Sequence, residues 1–325
     1  MRLLLTLLFA APVAAAPLVK EKAAPPITPR NADTVREIAS IPRDASRFDF
    51  VPNTGEPAVM PWEGEIEVFD PKTLQPVRKL AAGKKLVNFS FSRDGGRLAW
   101  AENNSTVVIE DLKTGKVVSF DTGQAQPAAA FSPDGKHVAT GGYGKVSGLW
   151  DVSTGKKVLH YETDTDGGLT PLFSPDGKVF ALGNRNSDPR LFDAATGKLL
   201  HVLPHKMTQE IRFNPAGTLL ATTYVDGGLG LWDVATGKLV RETKTWASEL
   251  YTVDWNPAGD LLVTAGLAGK ITLWDPLTLT ALKELDAPEW VIRAKFSPDG
   301  SRVFTAGGNS TRDETRRITV WGLSK

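Results

Sequence analysis

Cysteine is absent from this sequence of 325 residues. Its absence excludes disulfide bonds, thiolate metal sites, a thiol nucleophile and a lipid anchor attached through cysteine. An excess of either charge is also missing, because 38 lysines and arginines stand against 37 aspartates and glutamates, for a formal net charge of +1. A chain without a strong overall field is not drawn to highly charged polymers, so we expect no nucleic-acid partner.

Motifs that carry known chemistry are missing as well. The four histidines include no pair with metal-ligand spacing, and no zinc-protease, nucleophile-elbow, phosphate-loop or dinucleotide motif occurs. The glycine-rich stretches at 141–144 and 227–230 fall between short strand-like segments, where glycine serves a hairpin turn. The sequence therefore predicts no catalytic residue, no metal ion and no cofactor.

The first residues have the pattern of an export signal. A positive start at residues 1–2 precedes an apolar run at 3–9 and mostly small residues at 10–16. This order is typical of a secretory signal peptide, which we predict over residues 1–15 with cleavage after Ala15.

The apolar run is shorter than the roughly 20 residues that a helix needs to span a bilayer. We therefore expect no stable membrane anchor, and a mature protein in the periplasm or outside the cell. Residues 16–33 contain four prolines among charged residues and have no strand or helix periodicity. They predict a proline-rich linker between the signal peptide and a domain over 34–325.

An aromatic residue followed by a tight turn recurs along the rest of the chain. Phe-Ser-Pro-Asp-Gly occurs three times, and four weaker copies keep the aromatic residue and the glycine. The aromatic residues are 40 to 42 residues apart, at positions 50, 91, 131, 173, 213, 255 and 296. A second marker follows each of them, with literal copies of Leu-Trp-Asp that begin at 149, 231 and 273. A motif that returns seven times at one period indicates seven copies of one structural unit.

Each unit carries the local signals of short antiparallel strands. In Ser-Pro-Asp-Gly, proline presets the φ angle of the second turn position, aspartate suits the third, and glycine takes the positive φ that closes a hairpin. The segments around one such turn, at 136–140, 146–150 and 157–161, are short and rich in branched and aromatic residues. Each unit is therefore predicted to be a four-stranded sheet.

These motifs and their period resemble the WD-repeat family over residues 34–325. The resemblance implies an all-β, seven-bladed β-propeller with four antiparallel strands, a to d, in each blade; blade 1 contains the aromatic residue at position 50. The last unit ends soon after Trp321 and lacks a strand d, whereas residues 34–39 resemble the strand d at 238–242. We therefore predict that the N-terminal strand pairs with the last blade and closes the ring, which leaves no open blade edge.

The family often carries a buried hydrogen-bonded set of four residues within a blade. Only blade 5 of this chain matches all four positions, with His205, Thr222, Asp226 and Trp232. A histidine near an aspartate could also be a catalytic dyad, but their positions in the repeat favour a structural network in which buried polar groups satisfy each other.

The resemblance also implies a binding face formed by the b–c and d–a loops. Alignment of the seven units predicts partner contacts from eight side chains on this face: Trp62, Lys85, Asn103, Tyr143, Arg185, Met207, Trp246 and Trp290. Aromatic residues and arginine are enriched in interface hot spots. The alternative is that Trp246 and Trp290 merely cover adjoining blades.

WD-repeat relatives act overwhelmingly as protein-binding platforms. The resemblance therefore implies an exported, non-catalytic interaction scaffold that is a monomer and binds a protein or peptide partner through one loop face. The alternative is an exported enzyme or small-ligand binder that uses the mouth of the central channel. Converging acids, histidines or arginines at that mouth would favour the alternative, and an apolar aromatic patch on the loop face would favour the scaffold.

Overall fold

The chain folds into seven sheets of four strands each, as seen in a computed structural model. The model describes residues 24–43, 45, 47–61, 64–84, 86–102, 105–143, 146–162, 170–183, 188–205, 207–244, 249–287, 290–307 and 317–323. The predicted signal peptide lies outside the described residues. No helix in the described ranges is long and apolar enough to cross a membrane.

The strands follow the predicted repeat, and every sheet is antiparallel with its strands in the order a-b-c-d. Strand β1 (Val35–Ile41) comes first along the chain. The next sixteen strands form blades 1 to 4: β2 (Arg47–Phe50), β3 (Pro57–Met60), β4 (Ile66–Phe69), β5 (Pro76–Leu80); β6 (Leu86–Phe91), β7 (Arg97–Glu102), β8 (Thr106–Asp111), β9 (Val117–Asp121); β10 (Ala125–Phe131), β11 (His137–Tyr143), β12 (Val146–Asp151), β13 (Lys157–Glu162); β14 (Thr170–Phe173), β15 (Val179–Gly183), β16 (Arg190–Asp193), β17 (Leu199–Val202). The remaining eleven complete the ring: β18 (Thr208–Phe213), β19 (Leu219–Tyr224), β20 (Gly228–Asp233), β21 (Leu239–Lys244); β22 (Leu250–Trp255), β23 (Leu262–Gly266), β24 (Lys270–Asp275), β25 (Thr280–Asp286); β26 (Val291–Phe296), β27 (Arg302–Gly307), β28 (Arg317–Leu323).

The ring closes through the N-terminal strand, as predicted. Strand β1 pairs with β28, so that Val35 lies opposite Leu323 and Ile41 lies opposite Ile318. The last sheet therefore has the order β1-β28-β27-β26, and its strand d comes from the other end of the chain. The seven-bladed, all-β fold with four antiparallel strands in each blade is confirmed.

The apolar core lies between neighbouring blades rather than at one centre. Between blades 2 and 3, for example, Ala99 and Val107 pack with Val138 and Trp150 of the next blade. The b and c strands are almost wholly buried, whereas the outer d strands are largely exposed, as in β21. Each blade thus depends for its burial on the two blades beside it.

The recurring aspartates cap turns at one end of the blades. In the a–b turn of blade 3, the Ser132 hydroxyl donates to Asp134 Oδ1 at 2.6 Å, and Gly135 has a φ of 68°. In the following c–d turn, Asp151 accepts hydrogen bonds from Ser153 and Thr154. These hydroxyl donors, aided by backbone N–H groups, lower the pKa of Asp151 to about 2. The aspartate of Leu-Trp-Asp therefore stabilises a turn.

Part of the predicted linker packs against the propeller. The side chain of Ile27 is fully buried in the apolar cluster shared by blades 6 and 7. Its backbone N–H donates to Gly300 O at 2.8 Å, and its carbonyl accepts from Asn256 Nδ2 at 3.5 Å. A short 3-10 helix (Ala32–Thr34) then leads into β1. The chain is thus held to blades 6 and 7 before it enters the closing strand.

Candidate functional site

The predicted binding face lies at the end of the blades opposite the Ser-Pro-Asp-Gly turns. In an a-b-c-d antiparallel sheet, the b–c and d–a connections share one end. Tyr143 ends β11, while Met207 and Trp290 immediately precede β18 and β26, so all three lie at this end. Their side chains are 55%, 51% and 43% exposed. The other five predicted contact residues lie outside the described residues: Trp62, Lys85, Asn103, Arg185 and Trp246.

Backbone contacts join the entrance of strand a to the b–c turn of the same blade. The carbonyl of Met207, which has a φ of 66°, accepts a hydrogen bond from Val225 N at 3.0 Å. In blade 7, a Cβ atom added at Gly307 would lie 1.9 Å from the carbonyl oxygen of Trp290, so only glycine fits there. Met207 and Trp290 are therefore displayed from backbone that is tied to the rigid blade.

The two ends of the propeller differ in their exposed apolar side chains. In the described part of the chain, the exposed large aromatic residues Tyr143 and Trp290 both lie at the b–c end. The opposite end displays Leu277, in the c–d turn of blade 6. Apart from Met207 on the predicted face, the other exposed large apolar residues lie on outer strands: Ile38, Val77, Val117, Val158, Leu199, Leu200, Val202, Leu239 and Val240. Aromatic exposure thus distinguishes the predicted face.

The blade 5 set is organised around a residue that the sequence analysis missed. The indole Nε1 of Trp232 donates to the Thr222 hydroxyl at 3.0 Å, and the Tyr224 hydroxyl lies 2.6 Å from the same oxygen and 3.2 Å from the indole nitrogen. The ring of His205 stacks on Tyr224 with centroids 3.4 Å apart. Burial raises the pKa of Tyr224 to about 12, so its hydroxyl keeps its proton at neutral pH. Its place in strand b, two residues after Thr222, was the available signal.

Two members of the set contact charged residues outside it. The carboxylate of Asp226 accepts from Lys244 Nζ at 2.8 Å and from Gly228 N at 3.1 Å. The Lys244 ammonium holds the pKa of Asp226 below its ordinary value. The Nε2 atom of His205 lies 3.3 Å from Glu242. Asp226 therefore lies in an exposed ion pair, and this arrangement is not that of a buried catalytic dyad.

Charged side chains converge on the a strands, which are the inner strands of the blades. Their hydrogen bonds cross to the next blade: Glu210 Oε2 accepts from Val253 N at 3.2 Å, and Arg47 Nε donates to Val87 O at 2.9 Å. Lys295 Nζ of blade 7 likewise lies 2.8 Å from Asp49 Oδ1 of blade 1. These charges tie successive blades together around the axis.

Burial at the axis shifts the titration of the inner-strand charges. It raises the pKa of Asp254 to about 6 and lowers the pKa of Arg47 to about 9, with repulsion from Arg293 adding to the effect on Arg47. Within the described ranges, no group of three or more histidine and acidic side chains could hold a metal ion.

Comparison with known proteins finds partial matches. The family model for eukaryotic translation initiation factor eIF2A matches residues 173–267. WD repeat-containing protein SL1-17 of Schistosoma mansoni is 31% identical over 121 residues, which cover 36% of this chain and 40% of that protein. The match thus spans less than half of the relative. The seven four-stranded blades agree with this partial likeness to a WD repeat-containing protein.

Proposed function

We propose that this WD-repeat propeller is an exported scaffold that binds a protein partner through the face formed by its b–c and d–a loops. The observation that carries the proposal is the exposure of Tyr143, Met207 and Trp290 at that end of the described structure. Large, rigid aromatic side chains supply contact area at low entropic cost, and they are over-represented among residues that dominate binding energy.

The rigid blade strengthens this proposal. Met207 and Trp290 are presented from backbone that is hydrogen-bonded to, or in close contact with, the neighbouring turn. Little conformational entropy is then lost when a partner binds. Since Tyr143, Met207 and Trp290 belong to blades 3, 5 and 7, a partner that touches all three covers much of the ring.

Export is the second part of the proposal and rests on residues 1–15. The positive start, the apolar run and the small residues before Ala16 form the pattern that export machinery reads. The absence of cysteine is compatible with an oxidising compartment but does not require one.

The alternative, a ligand site at the channel mouth, has converging inner-strand charges in its favour. Glu210, Arg47 and Lys295, however, already bind groups of the neighbouring blade, so a ligand would have to compete with bonds that hold the ring. We therefore place the binding function on the loop face.

The test combines two substitutions on the loop face with one at the other end. The double variant Tyr143→Ala with Trp290→Ala should keep its circular dichroism spectrum and lose partner binding, with a single hot spot worth on the order of 2 kcal/mol, or about thirtyfold in affinity. The control variant Leu277→Ala removes an even more exposed apolar side chain from the other end. The partner is first captured from native extract with the parent protein and then titrated. Equal affinity for the folded double variant and the parent would refute the face assignment.

A further inference from the structure

Blade 2 lacks the tryptophan–threonine hydrogen bond that joins strands c and b in several other blades. In blades 3, 5, 6 and 7, a strand c tryptophan donates its indole hydrogen to a strand b threonine at 2.8 to 3.0 Å. The strand pairing places Glu110 at the position that Trp150 has in blade 3, and Trp100 at the position of Thr140. The tryptophan of blade 2 is therefore on strand b, and a carboxylate stands in its usual place on strand c.

This exchange opens a cleft between blades 1 and 2. In blade 3, Trp150 stacks on Phe120 of blade 2 with ring centroids 4.3 Å apart, and so fills the gap between the two blades. The pairing of the outer strands gives Leu80 of blade 1 the position of Phe120. In blade 2, the position of that tryptophan is held by Glu110, which is shorter and polar. A cleft of about 870 Å³ remains, with Leu80 and Glu110 in its walls.

The cleft has the size and composition of a binding site. Its volume falls within the range of roughly 300–1,000 Å³ found for ligand pockets. Apolar walls come from Val108 and Leu112 of blade 2 and from Leu80 of blade 1. It extends from the a–b turn at 51–54 to Glu102 at the end of β7, and so follows the length of a blade.

Two polar groups in this cleft have no partner in the described part of the chain. The side chain of Trp100 is only 4% exposed, yet its indole N–H makes no hydrogen bond. Buried indole N–H groups normally find an acceptor, so this one lacks a hydrogen bond that a ligand acceptor would supply. The half-buried carboxylate of Glu110 likewise makes no ion pair or hydrogen bond with the described residues.

The basic residues of the cleft, by contrast, have carboxylates close by. Arg78 binds Glu56 at 2.6 Å and Lys79 binds Glu65 at 2.9 Å. Lys84 lies 4.0 Å from Glu102. Glu110 is therefore the charge that a ligand would neutralise, and the ligand group that suits it is a cation.

We propose that the cleft between blades 1 and 2 binds a lysine or arginine residue within an extended peptide segment. The basic side chain pairs with Glu110, its aliphatic stem lies against Val108 and Leu112, and a peptide carbonyl accepts the Trp100 indole hydrogen. A peptide supplies both the cation and the acceptor, and its extended form matches a cleft as long as a strand. The residues that make these contacts, Trp100, Val108, Glu110 and Leu112, are not part of the b–c and d–a loops, so either site can fail without the other.

The test follows the Trp100 indole signal in a ¹H–¹⁵N correlation spectrum of the full propeller. The chain has nine tryptophans, and the variant Trp100→Phe identifies the relevant peak by its loss. Titration with acetyl-Ala-Ala-Arg-Ala-Ala-amide should move this peak saturably, and Glu110→Gln should weaken binding at least tenfold. The same peptide with norleucine in place of arginine should bind at least tenfold more weakly. The control variant Leu277→Ala should bind like the parent.

A second variant separates loss of binding from loss of fold. Trp100→Thr combined with Glu110→Trp recreates the threonine–tryptophan pair of the other blades and should fill the cleft. It should retain the strand signature of the parent and lose peptide binding by calorimetry. An unmoved Trp100 signal at millimolar peptide, equal affinity in Glu110→Gln, or unchanged binding to the cleft-filled variant would each overturn the proposal. Equal binding of butylguanidine and the peptide would also overturn it, because the carbonyl would then contribute nothing.

Discussion

Replacement of Asp254 by asparagine should change how the stability of the propeller depends on pH. Asp254 lies on β22, the inner strand of blade 6, and its Oδ2 accepts a hydrogen bond from Phe296 N of blade 7 at 2.9 Å. Burial raises its pKa to about 6, although Lys295 and Arg212 attract its charge. Asparagine keeps an acceptor for Phe296 but has no proton to lose, so the variant isolates the cost of the buried charge.

The size of the effect follows from the displacement of the pKa. The ordinary pKa of 3.8 rises to about 6 in the folded protein. Since one pKa unit corresponds to 1.36 kcal/mol, Asp254 contributes up to about 3 kcal/mol that depends on pH. The folded state holds the proton more tightly than the unfolded state. This stabilisation is therefore complete below about pH 4 and is lost as the pH rises through about 6.

Urea unfolding of parent and variant at matched pH values measures this contribution. The free energy of unfolding of Asp254→Asn, minus that of the parent, should increase by up to about 3 kcal/mol between pH 4 and pH 7.5. Asp226→Asn is the control, because Lys244 lowers the pKa of Asp226 and its contribution is already complete above about pH 4, so its difference should stay nearly flat over this range. A difference for Asp254→Asn that stays flat or falls over this range would refute the burial of its charge.

The remaining predictions concern the N-terminal segment. Deletion of residues 1–40 removes most of β1 and exposes the edge of β28, so we expect the shortened protein to aggregate or to unfold without cooperativity. Deletion of residues 1–23 is the control, because it keeps every contact described above. An unchanged melting curve for the longer deletion would contradict ring closure. Protein purified from its native host should begin at Ala16 by mass spectrometry, and a mature chain that retains Met1 would argue against export.

Much of the fold could be predicted from sequence because its signals are local. The Ser-Pro-Asp-Gly turns depend on the backbone preferences of proline, aspartate and glycine, and these preferences do not require tertiary contacts. Because the turns recur at an even spacing, their number gives the number of blades. Closure through β1 could be predicted because the last unit has only strands a, b and c, and residues 34–39 resemble the strand d of another blade.

Contacts that depend on packing across strands were harder to predict. Tyr224 joins Thr222 and Trp232 only because the pairing of β19 with β20 brings their side chains together. The proline content of residues 16–33 suggested a linker throughout, yet Ile27 enters the core between blades 6 and 7. Composition reports average behaviour and does not show where one apolar side chain finds a complementary gap.

The altered tryptophan position in blade 2 could not be recognised from the repeat motif alone. In the sequence, Ile109-Glu110-Asp111 is a weak copy of Leu-Trp-Asp, and Trp100 is one more aromatic residue in a strand. The strand register shows that blade 2 carries its tryptophan on strand b instead of strand c. The blade therefore keeps the large side chain but places it at a different position. Trp100 packs into the apolar cluster of blades 1 and 2, yet its indole N–H has no acceptor among the described residues. We expect an occupant of the cleft to supply that acceptor.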